Sequence, residues 1–197
     1  MKSHAFAYQD AAKRLLEEGE KNLLIVAPTG SGKTSVGFTA FEIAGKGVFI
    51  APTRALCHEK MQWLRQQFPN ARTVIGNKDY GLRASEFAAA DYRVITPWKL
   101  NQLLQNRADF PVLSPVVVLD ELQAMSRDPD VEMVITKLLA LFDGKIRIVG
   151  LSASLHEDDV PKIAAWLNGV TVESDERPVP IIEHIVNFSL DLDGESG

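Results

Sequence analysis

Ala27-Pro28-Thr29-Gly30-Ser31-Gly32-Lys33-Thr34 follows an apolar run and leads into a segment with helical spacing. Its closing Gly-x-Gly-Lys-Thr matches the phosphate-loop pattern, although Ala27 stands where many such loops open with glycine. Gly30 and Gly32 let the backbone curl so that its N–H groups point inward at phosphate oxygens. A helix beginning near Lys33 adds the positive end of its dipole. Lys33 is placed to reach the β- and γ-phosphates of a nucleoside triphosphate. Thr34 is placed to offer its hydroxyl to Mg²⁺, a small cation that favours oxygen ligands.

Outward from that loop, short aliphatic runs recur at Leu23 to Ala27, Val48 to Ala51, Arg72 to Ile75, Arg93 to Thr96, Val116 to Leu119 and Ile146 to Leu151. Several are apolar on consecutive positions, which suits a mainly parallel sheet covered on both faces. Between them, Ala11, Leu15 and Leu16, then Leu56, Met61, Leu64 and Phe68, then Val131, Val134, Ile135, Leu138 and Leu141 keep helical spacing. Alternating strands and helices predict a three-layer α/β/α domain with ligands gathered at the carboxyl ends of the strands. There Val116-Val117-Val118-Leu119 ends in Asp120-Glu121. Two adjacent acids after a buried strand suit metal binding by Asp120 and proton acceptance from water by Glu121.

With 197 residues and 46% hydrophobic content, the chain is long enough for one domain with a proper core. No apolar run approaches the ~20 residues that span a bilayer, so no membrane association and a cytoplasmic location are expected. One cysteine, Cys57, agrees with a reducing compartment and reads as a small core residue. The four histidines lack the spacing of a zinc site. Net charge is −5, but residues 173–197 hold seven acids and one arginine, which leaves the preceding body at +1. That body permits polyanion binding at a local site without a strong basic stripe.

The order of these motifs resembles the first RecA-like motor lobe of superfamily 2 helicases, the DEAD/DExH-box group. The phosphate loop is followed by Ala51-Pro52-Thr53-Arg54-Ala55-Leu56, Thr96-Pro97, Asp120-Glu121-Leu122-Gln123 and Ser152-Ala153-Ser154. Within the group the chain is most similar to the DExH branch of archaeal DNA-repair and exosome-associated RNA helicases. Gly76-Asn77-Lys78-Asp79-Tyr80, Trp166-Leu167 and Arg177-Pro178-Val179-Pro180 add to that likeness. The resemblance implies ATP and Mg²⁺ as cofactors, with Gln9 reading adenine and Tyr8 or Phe6 packing on the base. It makes Ala27 through Thr34 the ATP cradle, with Thr34 and Asp120 as metal ligands and Lys33, Asp120 and Glu121 as catalytic groups. Pro52, Thr53, Arg54, Thr96 and Pro97 would grip the backbone of single-stranded or partly duplex nucleic acid on one rim of the sheet. Thr53 also reads as the N-cap of a helix starting at Arg54. Gln123, Ser152, Ala153 and Ser154 would couple the triphosphate to the nucleic-acid site.

Two departures bear on that scheme. Gln123 stands where the branch usually has histidine, and it cannot take up a proton near neutral pH. Trp98 stands where the family often has glutamate and is open to two readings, buried packing or a base-stacking platform. The resemblance also implies a second RecA-like lobe, in a fuller chain or a partner, that supplies arginines to the transferring phosphoryl group. Loss of such an arginine costs ~10³ to 10⁵ in rate, so 1–180 as an ATP-binding domain is expected to bind ATP and hydrolyse it feebly. Residues 181–197 read as an acidic tail or the start of a linker. The expected function is the ATP-binding lobe of a translocating, unwinding helicase, with a standalone nucleotide- and nucleic-acid-binding module as the alternative.

Overall fold

Strands that are apolar at every position need cover on both faces, and each run in this chain divides its side chains between two cores. In the computed structural model, residues 6–19, 22–76, 84–104, 114–125, 129–142 and 144–177 are described. Residues 77–80 and 178–180, quoted above for the family likeness, lie outside that set, as does the 181–197 tail.

The elements are α1 (Ala7–Glu18), β1 (Asn22–Val26), α2 (Lys33–Ala44), β2 (Gly47–Ile50), α3 (Arg54–Gln67), β3 (Thr73–Gly76) and α4 (Ala84–Ala89). They continue with β4 (Tyr92–Ile95), α5 (Pro97–Leu104), β5 (Val116–Leu119), α6 (Leu122–Met125), α7 (Pro129–Phe142), β6 (Arg147–Ser152), α8 (Val160–Trp166) and β7 (Gly169–Glu173). The strands form one seven-stranded sheet in the order β3-β4-β2-β5-β6-β1-β7. Every neighbouring pair is parallel. The expected α/β class therefore holds.

Leu24, Val48, Ile50, Val117 and Leu119 point to one core, completed by Leu100 and Leu104 of α5, Val134 and Leu138 of α7 and Val160 of α8. Leu23, Ile25, Phe49, Val116 and Val118 point to the other, with Ala12 and Leu16 of α1, Val36 and Phe41 of α2 and Cys57, Met61 and Leu64 of α3. This alternation explains the unbroken apolar runs, since both faces of a central strand are dry. The seventh strand, β7, joins the edge beside β1 and is more exposed than the others.

The consequence for function is one shared rim. β1, β2, β4, β5 and β6 run the same way, so the segments after all five emerge on one side of the sheet. Backbone bonds cross between those segments: Ala27 N donates to Ser152 O at 3.1 Å, Asp120 N to Ile50 O at 2.9 Å and Ala51 N to Ile95 O at 3.2 Å.

Candidate functional site

The loop after β1 turns on its glycines. Gly30 and Gly32 have φ of 81° and 85°, a region that costs other residues strain, and Gly32 directly precedes α2. A β-carbon at Gly32 would also lie 2.6 Å from Gln9 Nε2. Within the loop, Lys33 curls back: its Nζ donates to the carbonyls of Ala27 and Pro28 at 2.7 and 2.9 Å. Burial pulls the Lys33 ammonium below its ordinary pKa, while the nearby Glu121 and Asp120 carboxylates oppose that shift.

Helix α1 braces the loop from outside. Gln9 Nε2 donates to Ser31 O at 3.1 Å, Gly32 O at 3.3 Å and Ser35 Oγ at 3.3 Å. Gln9 Oε1 accepts from Phe6 N at 3.3 Å. Tyr8 is 4% exposed, and its hydroxyl donates to Ser31 O at 2.8 Å. The expectation that Tyr8 packs on a base therefore yields to a structural role. Phe6 is half-buried beside it, with ring centroids 6.1 Å apart.

The acidic pair sits across the rim, after β5. Asp120 is buried, and burial raises its pKa against the opposing pull of the Lys60 ammonium. Glu121 is half-buried and takes φ of 55°, a left-handed turn that is uncommon for a residue with a side chain and sets where its carboxylate lies. Next comes α6, where Gln123 bridges two loops. Its Nε2 donates to the Glu121 carboxylate, while its Oε1 accepts from Ser152 Oγ at 2.6 Å and Ala153 N at 3.3 Å. Ser152 is buried, Ala153 half-buried and Ser154 exposed.

Thr34 and Asp120 converge on a group that sequence reasoning missed. Lys60 Nζ lies 3.3 Å from Thr34 Oγ1 and 3.2 Å from Asp120 Oδ2. The available signal was its place in α3, where Cys57, Lys60, Met61 and Leu64 form one buried stripe with a cation inside it. Among the described residues no group of three or more His, Cys, Asp or Glu side chains could hold a metal alone. A hydroxyl and a buried carboxylate beside a glycine loop fit Mg²⁺ that also draws oxygens from phosphate and water.

On the other part of the rim, Thr53 caps α3 by accepting from Leu56 N at 3.2 Å. Thr53 and Arg54 are exposed and Pro52 is half-buried. Thr96 and Pro97 share this side of the sheet but are buried, so their side chains offer a ligand little surface. Thr96 Oγ1 has no hydrogen-bond partner among the described residues. Trp98 is half-buried on α5, between the two readings open to it. Cys57 is buried with Sγ 3.8 Å from Ala51 O, as a core residue should be.

Residues 6–163 match the family described as DEAD/DEAH box helicase. The ATP-dependent DNA helicase Hel308 of Pyrococcus abyssi is 32% identical over 173 residues, covering 83% of this chain and 23% of its own. That of Aeropyrum pernix is 29% identical, covering 86% of this chain and 23% of its own. The chain thus spans about a quarter of the length of these curated relatives. Among solved structures, a hypothetical ATP-dependent RNA helicase from Sulfolobus tokodaii superimposes with a TM-score of 0.68 at 22% identity, covering 87% of this chain and 53% of that one. The Pyrococcus furiosus Hef helicase domain gives 0.69 at 22% identity, covering 85% of this chain and 38% of that one. At that identity the superpositions establish a shared fold.

Proposed function

The chain belongs to the DEAD/DEAH box helicase family, and from that premise we propose that it forms the ATP-binding lobe of an ATP-dependent nucleic-acid helicase. The observation that carries this reading is the meeting, on one rim, of the glycine loop after β1 and the acidic pair after β5. Asp120 and Thr34 approach the same ammonium, and Glu121 is tied through Gln123 to the loop after β6.

In this proposal Mg²⁺-bound ATP supplies the phosphoryl group that is transferred to water. Lys33 releases the Ala27 and Pro28 carbonyls and turns to the phosphates, a change its long stem allows. The exposed backbone of Thr29 and Gly30, with Ser31 and Gly32, lines the phosphate cradle, and Gln9 reaches the base from α1. Thr34 and Asp120 hold the metal. Glu121 accepts the proton of the attacking water, and Gln123 keeps its carboxylate oriented. Ser152, Ala153 and Ser154 pass the change to the rim where Pro52, Thr53 and Arg54 meet a nucleic-acid backbone, with Thr96 and Pro97 supporting from below.

Residues 1–180 make up this ATP-binding domain and 181–197 its tail or linker. A second RecA-like lobe completes the cleft, consistent with relatives that are several times longer. The free, buried Cys57 supports a reducing, cytoplasmic location. No helix among the described residues is long and apolar enough to cross a membrane.

Titration calorimetry with ATP and Mg²⁺ tests the core of the reading. The parent chain should bind, and Lys33→Ala should weaken binding by about ten- to a hundredfold, as expected for loss of charge-assisted contacts. Unchanged affinity in Lys33→Ala would overturn the assignment.

A further inference from the structure

Lysine does not belong on the buried stripe of an amphipathic helix unless something there needs a positive charge. Lys60 occupies such a place: it is 6% exposed, flanked on α3 by the buried Cys57, Met61 and Leu64. Its stem runs through the protein, and its ammonium ends beside Asp120 Oδ2 at 3.2 Å, Thr34 Oγ1 at 3.3 Å and Glu59 Oε1 at 3.3 Å. The Trp63 ring lies 4.6 Å away, a further favourable contact for a cation.

The need arises at Asp120. This carboxylate is 3% exposed, and an unpaired charge there is costly. Lys33, a second cation near it among the described residues, turns its ammonium to the Ala27 and Pro28 carbonyls. The charge of Asp120 is therefore met by Lys60. The two oxygen atoms that Lys60 joins, one hydroxyl and one carboxylate, are the pair assigned above to Mg²⁺.

An ammonium and a divalent cation cannot occupy one such position together. We propose that Lys60 is a displaceable internal cation, which holds Thr34 and Asp120 in place without nucleotide and must yield to Mg²⁺ when the nucleotide binds. The inference rests on the reading of Thr34 and Asp120 as metal ligands. A second resting place is ready for the ammonium, because Glu59 and the Trp63 ring already touch it and both reach solvent, at 43% exposure each. Lys60 is thus a positioning residue. It preserves a preformed site, and it raises the Mg²⁺ concentration at which ATP binds, because the ion pair with Asp120 must be broken first.

The test follows ATP binding to the chain by calorimetry across a Mg²⁺ series. Parent, Lys60→Met, Lys60→Gln and Lys60→Arg are compared, with thermal melting in Mg²⁺ alone as a second readout. Methionine keeps the stem and removes the charge, glutamine keeps a polar end without charge, and arginine keeps the charge. Lys60→Met and Lys60→Gln should bind ATP half-maximally at a Mg²⁺ concentration at least about fivefold below that of the parent. Lys60→Arg should stay within about twofold. Mg²⁺ alone should raise the melting temperature of both uncharged variants more than that of the parent.

Equal Mg²⁺ midpoints in the parent and both uncharged variants would overturn the inference and leave the metal site standing. If ATP binding by the parent is itself independent of Mg²⁺, the reading of Thr34 and Asp120 falls, and the role of Lys60 falls with it. Should Lys60→Met not fold, the glutamine variant gives the same comparison.

Discussion

The side-chain oxygen of Gln123 accepts a hydrogen bond from Ser152 Oγ at 2.6 Å, while its amide nitrogen donates to Glu121. One residue of α6 thus joins the loop after β5 to the loop after β6. Replacing Gln123 with alanine should lower the unfolding free energy by about 1–2 kcal/mol, the net worth of one or two such bonds. Gln123→Glu should cost more, because it sets a second carboxylate against Glu121. Urea titrations at neutral pH would show the order, and equal midpoints for both variants and the parent would mean the bridge contributes nothing.

Arg54 is exposed on the first turn of α3, a turn already capped by Thr53. A thermal melt of Arg54→Ala beside the parent separates any loss of fold from loss of ligand. Arg54→Ala should weaken binding of a labelled single strand and lower the slope of log K against log salt by about 0.7, the share of one phosphate contact. Anisotropy titrations across a potassium chloride series check this. An identical slope removes Arg54 from the nucleic-acid surface.

Gly37 lets α2 approach the sheet closely. A β-carbon there would lie 2.9 Å from Val118 Cγ1 and 3.4 Å from Phe49 Cε2. Gly37→Ala gains up to ~1 kcal/mol of helix propensity, but crowding a buried valine and phenylalanine costs ~1–3 kcal/mol. We expect net destabilisation. Adding Val118→Ala should relieve part of it, so that the double variant is more stable than the two single effects summed. Denaturant melts of the four proteins measure the coupling.

Burial pushes the Cys57 thiol up from 9.0 to about 12. In the unfolded chain this thiol ionises as pH passes about 9, whereas the folded chain keeps its proton. A folded pKa above the unfolded one means that the contribution of Cys57 to stability is whole below about pH 9 and declines toward pH 12. Melts of parent and Cys57→Ala between pH 8 and pH 10.5, as order-of-magnitude bounds of that window, should show a steeper alkaline loss in the parent. A thiol reagent should react with the native chain at pH 8 only as fast as it opens.

The sheet was legible because its strands, such as Val116 to Leu119, are apolar at each position, and only a strand dry on both faces needs that. The glycine loop and Asp120-Glu121 were legible because their residue types are poor choices for a core. β7 escaped notice because Gly169 to Glu173 lies at the edge and mixes exposed with buried positions. Tyr8 looked available because a tyrosine in an amphipathic helix can face either way, and only the fold shows its hydroxyl bonded to Ser31. Lys60 was hidden for a related reason. Its charge suggests solvent, and the carboxylate it answers lies in a different part of the chain.

Helix α3 opens at the exposed Thr53 and Arg54 and, six residues on, delivers Lys60 to Thr34 and Asp120. At ~1.5 Å of rise per residue, Arg54 and Lys60 stand about 9 Å apart along the axis of that single helix. One helix thus carries a residue proposed to meet the strand and a residue proposed to answer the metal site. If Mg²⁺-nucleotide changes strand affinity by unseating Lys60, as the two proposals together require, a bound strand would change Mg²⁺-nucleotide affinity by the same factor.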